Sequence, residues 1–228
     1  MYQKKLDPEM DLNEYFDSGD YSVVPMGKLL LPSGKLVASD PLYHLEYGNV
    51  PPFSKRVPRG QFLTEVAVAQ VEDGEPLYAA ARILFSDRPA VRYQLALRPG
   101  EHVSELAADE IYGLPVESGL ACFCDEKTAR LFAVFCAQWR QDHPGKNLYD
   151  DYFAFFFARS ARKCPGAQRP EGSFLNWHLP DVKENVVLFD SGFGNGVYPA
   201  YWGFDEEGKV VSLVLQMISP AELEDEEE

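Results

Sequence analysis

Three glycines at alternate positions, Gly192, Gly194 and Gly196, lie in the stretch Asp190-Ser191-Gly192-Phe193-Gly194-Asn195-Gly196-Val197-Tyr198-Pro199. Glycine admits φ > 0 and lets another group approach the backbone closely. The small polar residues among these glycines can do chemistry in two ways. Exposed backbone N–H groups can hold an anion, and Asp190 with Asn195 can hold a hard cation. The competing reading is architectural: a β-hairpin turning at Asn195-Gly196, in which the glycines let Phe193, Tyr198 and Trp202 pack. Asn-Gly is a strong hairpin signal and favours that reading. The stretch lacks the EF-hand ligand pattern and does not open a helix, so it is not a dinucleotide-type phosphate loop. Candidate ligand-binding residues are therefore Asp190, Ser191, Asn195, Tyr198 and Trp202. Asp40 and Glu117 join them as strand-borne acids, with Glu65 and Arg82 as further polar groups that can face the same cleft. For Glu65 and Arg82, a cross-strand ion pair is a sufficient explanation.

Other catalytic signatures are missing. The chain has no G-x-S-x-G elbow, no H-E-x-x-H and no G-x-x-x-x-G-K-[ST] loop. His44, His102, His143 and His178 are scattered, and His143 suits the C-terminal dipole of a helix. Cys122 and Cys124 are read as facing opposite sides of a strand, which argues against joint chelation. With Cys136 and Cys164 they are expected to be free thiols, with no metal and no cofactor.

The elements that must position these groups change period along the chain. Asp7-Pro8-Glu9 reads as the start of a short helix carrying Leu12, Tyr15 and Phe16 and ending near Gly19. Strands follow as far as residue 124, with hairpins expected at Ser33-Gly34 and Asp73-Gly74 and an alternating strand at 91–95. Asp125 then caps a helix with Phe132, Phe135, Cys136 and Trp139 on one stripe. Asn147 caps a second, carrying Tyr149, Tyr152, Phe153, Phe156 and Phe157. Aromatic stripes of this spacing are core. Strands return at 186–189, 198–204 and 209–218, the last reading as a central strand covered on both faces.

The expected fold is α+β: a twisted, mostly antiparallel β-sheet or partly closed barrel, with a helical hairpin at about residues 125–160 packed against it. Residues 1–220 read as one domain and 221–228 as an acidic, disordered tail, the alternative being two lobes divided near residue 120. The 228 residues carry a net charge of −15, and removing the six acids of residues 222–228 still leaves −9. Such a surface excludes phosphate-backbone binding and steers a basic protein toward it. No apolar run is long enough to cross a bilayer and no signal peptide precedes the first strand, so the expected location is the cytosol, with no membrane partner.

Several stretches together resemble a bacterial family known as domain of unknown function 4241. They are Gly27-Lys28-Leu29 with Pro32-Ser33-Gly34 and Ser39-Asp40-Pro41-Leu42, then Ala81-Arg82 with Phe85-Ser86, Leu95-Ala96-Leu97-Arg98-Pro99-Gly100, and Glu117-Ser118-Gly119 with Cys122-Phe123-Cys124-Asp125. Phe189–Pro199 with Tyr201-Trp202-Gly203 is the most specific, and the resemblance spans roughly residues 25–218. The family pattern places Asp where this chain has Asn195, and Asp-Phe where it has Gln216-Met217. A cation site built on those acids would be weakened here. The resemblance implies no activity.

Three functions fit this reading. The first is a non-enzymatic protein-binding module, of immunity type, that neutralises a basic toxin. The second is a small-ligand binder or enzyme built around 190–199. The third is an oligomeric subunit whose aromatic helices form an interface.

Overall fold

The computed structural model describes residues 11–69, 75–107, 110–220 and 222–223. After the short helix α1 (Glu14–Asp17) come β1 (Ser22–Leu31), β2 (Leu36–Ser39), β3 (Gly60–Ala69), β4 (Leu77–Leu84), β5 (Arg92–Leu95), β6 (Leu114–Val116) and β7 (Leu120–Asp125). The helices α2 (Glu126–Asp142) and α3 (Ala154–Ala161) follow. The chain ends with β8 (Phe174–His178), β9 (Asn185–Asp190), β10 (Gly196–Tyr198), β11 (Ala200–Phe204) and β12 (Val210–Gln216).

The strands form a six-stranded sheet in the order β1-β3-β4-β12-β11-β5 and a four-stranded sheet in the order β2-β7-β9-β8. β6 and β10 make a separate two-stranded ribbon. All pairings are antiparallel, and the fold is α+β. The sheets stay open, so the barrel alternative does not hold: β1 and β5 remain the two edges of the larger sheet.

The four-stranded sheet is apolar on both faces, which is why β7 and β9 read as continuous apolar runs. Ala38, Phe123, Val187 and Phe189 join the core shared with the larger sheet. Val37, Cys122, Cys124, Val186, Leu188 and Trp177 face the helices. Cys122 and Cys124 thus share a face, contrary to the sequence expectation, because residues two apart on a strand point the same way. Both thiols are buried and free, and burial pushes the Cys122 thiol well up from its ordinary range.

Asp125 caps α2 by accepting from the Lys127 backbone N–H, and Asn147 accepts from Tyr149 N and Asp150 N ahead of a π-helical turn that leads into α3. Phe132 and Phe153 stack at 6.1 Å between ring centroids, and both meet Trp177 of β8 edge-on. The helical aromatic stripe is therefore core, with Phe155 left outside. His143 ends α2 with Nδ1 2.8 Å from the Trp139 carbonyl. On the opposite side of the molecule, Leu12, Tyr15 and Phe16 of the N-terminal segment are buried in the larger core. Tyr15 donates to the Ile218 carbonyl and accepts from Gln216 Nε2.

Two expected hairpins are something else. Ser33-Gly34 does not join paired strands, since β1 pairs with β3 and β2 with β7. The turn hands the chain from one sheet to the other, held by Ser33 Oγ donating to the Asp125 carboxylate and by Val57 N donating to the Gly34 carbonyl. The glycine-rich stretch is likewise a crossover. β9 lies in the four-stranded sheet, β10 in the ribbon with β6, and β11 in the six-stranded sheet.

The Asp7–Glu9 helix start, the Asp73-Gly74 turn and, of the 221–228 tail, residues 221 and 224–228 lie outside the described residues. β3 and β4 do pair, ending at Ala69 opposite Leu77, as a hairpin between them requires. Past Pro220, Ser219 N donates to Glu222 Oε2 while Glu222 N donates to Ser219 Oγ, a capping box, and Leu223 packs against the core.

Candidate functional site

One end of the four-stranded sheet gathers most of the polar residues singled out from the sequence. Ser39 pairs with Cys122, Leu120 with Asp190, and Phe174 with Phe189. The segments 40–47, 116–119, 191–196 and 168–173 therefore emerge at the same edge.

Asp40 is fully buried and organises two of these segments. Its Oδ1 accepts from Leu42 N, Tyr43 N and Ser118 Oγ, and its Oδ2 from Glu117 N and Ser118 N, all at 2.7–2.9 Å. All five described donors are intramolecular, so Asp40 works as an anchor that ties residues 42–43 to 117–118. Glu117 itself turns outward, with its carboxylate 3.8 Å from His44 Nε2 and its side chain 53% exposed.

Asp190 faces the helical side, where Arg169 Nη2 donates to its Oδ2 at 2.6 Å. Burial pushes its carboxyl up from the ordinary aspartate range, against the opposing pull of Arg169 and Ser173. The folded protein thus favours protonated Asp190 more than the unfolded chain does. That contribution to stability is present below the ordinary aspartate range and is lost as pH rises through the raised folded value. Relative to the uncharged Asp190→Asn variant, the urea midpoint of the wild type should fall as pH rises through this window. A gap that stays constant, or opens the other way, would contradict the assignment.

In the crossover, Ser191 Oγ and Tyr198 Oη both donate to the Gly194 carbonyl at 2.8 Å, and Gly194 N donates to the Ser191 carbonyl. Gly192 has φ +59°, and a Cβ there would lie 2.8 Å from Ile218 Cγ1. Gly194 has φ +96° and open space around it. Gly194→Ala should cost about 1–2 kcal/mol for the left-handed backbone alone. Gly192→Ala should cost about 2–4 kcal/mol, because overpacking against Ile218 adds to the same strain. Thermal melts of the two variants check the order.

The structure thus brings Asp40, Glu117, Asp190, Ser191, Asn195 and Tyr198 to one end of the four-stranded sheet. Asn195 is exposed, with no side-chain hydrogen bond to a described residue, while Asp190 is engaged by Arg169. Trp202 lies apart in the core, edge-on to Phe53 at 5.6 Å. Glu65 and Arg82 lie on the six-stranded sheet as directly opposed partners with Arg82 Nε 2.7 Å from Glu65 Oε2, the cross-strand ion pair. Gln216 is committed to Tyr15. No group of three or more His, Cys, Asp or Glu side chains suited to a metal ion occurs among the described residues.

Sequence reasoning missed Arg169 and Ser118. Arg169 sits in a Pro/Gly-rich loop that reads only as surface, and Ser118 carries no signal beyond its place between Glu117 and Gly119. It also missed a set of exposed apolar side chains around the 116–119 turn. Tyr43 and Tyr47 are 51% and 64% exposed on one side, and Phe193 and Val197 are 49% and 57% exposed on the other. The Asp40 hydrogen bonds fix Tyr43 of the first pair, and Tyr47 follows it through its N–H bond to the His44 carbonyl. The Gly196–Val116 pairing fixes the second.

No described helix is long and apolar enough to cross a membrane. No curated protein and no solved structure matches the chain. A family model does match, over residues 29–215, from within β1 to within β12. With most of its length matched in this way, the chain belongs to the family of proteins of unknown function DUF4241.

Proposed function

We propose that this chain is a cytosolic bacterial protein-binding module without catalytic activity, of immunity type, whose partner is a basic protein such as a cationic toxin. One observation carries the reading: Tyr43, Tyr47, Phe193 and Val197 stand exposed around the Asp40-anchored turn, beside the exposed carboxylate of Glu117, on a chain of net charge −15. Tyrosine and phenylalanine are enriched where interfaces derive their binding energy, and a negative field speeds encounter with a positive partner. Four unpaired thiols fit a reducing compartment.

The test is co-purification from the native host at low and moderate salt, using the wild type and a Tyr43→Ser/Phe193→Ser double variant. A lysine- or arginine-rich protein retained by the wild type, weakened by salt and lost from the variant supports the reading. Equal retention by both forms, or no cationic partner at either salt, overturns it.

A second reading has its own observation. The Asp190 carboxyl, raised by burial and held against Arg169, is suited to proton transfer, which favours a small-ligand or enzymatic site near 190–199. Thermal-shift screening with metabolites and metal ions separates the two. A ligand that stabilises the wild type but not Asp190→Asn supports this reading, and indifference to all of them removes it.

A further inference from the structure

The outer face of the six-stranded sheet holds a cavity of about 200 Å³ between the N-terminal segment and strands β4, β5 and β12. Arg82, Asp17, Asn13, Phe16, Tyr93 and Ser212 are among its lining residues. It lies on the six-stranded sheet, apart from the Asp40 and Asp190 cluster.

Arg82 gives the cavity its chemistry. Its guanidinium lies 4.1 Å from the centroid of the Phe16 ring, and only Nε is committed, to Glu65 at 2.7 Å. Nη1 and Nη2 carry no hydrogen bond to any described residue, although the side chain is only 15% exposed. Nη1 lies 4.0 Å from Asp17 Oδ1, too far for a hydrogen bond. A guanidinium edge in this condition accepts a carboxylate in bidentate fashion. A bare anion is poorly served, however. Glu65 already offsets Arg82, Asp17 and Asp87 line the cavity, and the other cation, Arg88, is committed to Asp205 and Glu207 at 3.0 and 2.7 Å. A bare cation meets Arg82. The arrangement suits a ligand carrying both charges on neighbouring atoms.

We propose that this cavity binds a small α-amino acid, with its carboxylate on Arg82 Nη1 and Nη2, its ammonium on Asp17, and an apolar side chain against Phe16 and Val214. At about 200 Å³ it has room for a leucine-sized molecule and is smaller than the sites that hold drug-sized ligands.

Isothermal titration of the full chain with L-leucine, L-valine and L-methionine tests this. At least one should bind. Its methyl ester and its N-acetyl derivative, each lacking one charge, should bind at least tenfold more weakly. Asp17 is 64% exposed, so Asp17→Asn should leave the melting temperature in place while weakening the free amino acid tenfold or more. Arg82→Met would strand Glu65, so the paired variant Arg82→Gln/Glu65→Gln is used instead, and it should abolish binding. Binding by none of the three amino acids overturns the proposal. So does an N-acetyl derivative that binds as tightly as the free amino acid, or an Asp17→Asn or Arg82→Gln/Glu65→Gln protein with undiminished affinity.

Discussion

Replacing Asp40 with alanine should destabilise the protein by about 3–5 kcal/mol, a fifth or more of the roughly 5–15 kcal/mol that holds an ordinary domain folded. The carboxylate is fully buried and accepts five hydrogen bonds, four from backbone N–H groups and one from Ser118 Oγ. Removing it leaves those donors without an acceptor, and each orphaned buried donor costs about 1–3 kcal/mol before relaxation and water recover part of the loss. Asp40→Asn separates charge from shape. The amide is nearly isosteric, but its NH₂ must face either the Glu117 and Ser118 N–H groups or those of Leu42 and Tyr43. It should therefore cost nearly as much as alanine. Urea unfolding of both variants measures this. An Asp40→Ala loss below about 1 kcal/mol, the level of an ordinary surface change, would show that the donors find other partners. The same anchor holds Tyr43 beside Glu117, so a variant that still folds should also bind the proposed partner less tightly.

Asn185→Ala is expected to cost about 3 kcal/mol. β1 is an edge of the six-stranded sheet, and its outward-facing backbone groups have no neighbouring strand among the described residues. Asn185 of β9 supplies what a strand would. Leu30 N donates to its Oδ1 at 2.9 Å, while its Nδ2 donates to the Lys28 carbonyl at 2.9 Å and to Asn176 Oδ1 at 2.6 Å. Asn176 in turn donates to the Met26 and Lys28 carbonyls. Two side-chain amides thereby join the sheets at a corner where they do not share a ladder. Gly27 makes the space: it has φ +101°, and a Cβ there would lie 2.6 Å from Asn176 Nδ2. Truncating Asn185, which is 1% exposed, leaves the part-buried Leu30 N–H without its acceptor and opens a void. Amide hydrogen exchange gives the local readout: Leu30 should lose protection in the variant. Unchanged protection at Leu30 with unchanged stability would mean that the corner is held by apolar packing alone.

Much of the local structure was legible in the sequence because its causes act over a few residues. The Asp125 and Asn147 caps, the aromatic stripes of the helices and the two-sided apolar run of β12 stand where their spacing puts them. The Ser219–Glu222 capping box is an equally local signature. The Cys122–Cys124 orientation was also contained in the strand period, which places both thiols on one face.

Strand partnership is a different kind of property. Ser33-Gly34 and Asn195-Gly196 both have hairpin chemistry, yet each carries the chain from one sheet to another. What separates a hairpin from a crossover is whether the following strand buries more apolar surface beside its predecessor or in another layer. β2 is buried along its whole length beside β7, and β11 along its whole length between β12 and β5. The glycine-rich stretch accordingly joins three sheets, and its Ser191, Gly194 and Tyr198 bond to one another.

The sequence by itself determined the α+β class, the Asp125 and Asn147 caps, the net negative charge and the family, whereas α1 is confined among the described residues to Glu14–Asp17, shorter than its apolar spacing suggested. Only the tertiary structure decided that Asp40 is an internal anchor, that Asp190 answers to Arg169, and that Asn185 completes an edge 155 positions away. The physical reason is that a polar side chain reveals its type locally, whereas its hydrogen-bond partners are chosen by whatever the packing of apolar faces brings within 3 Å of it.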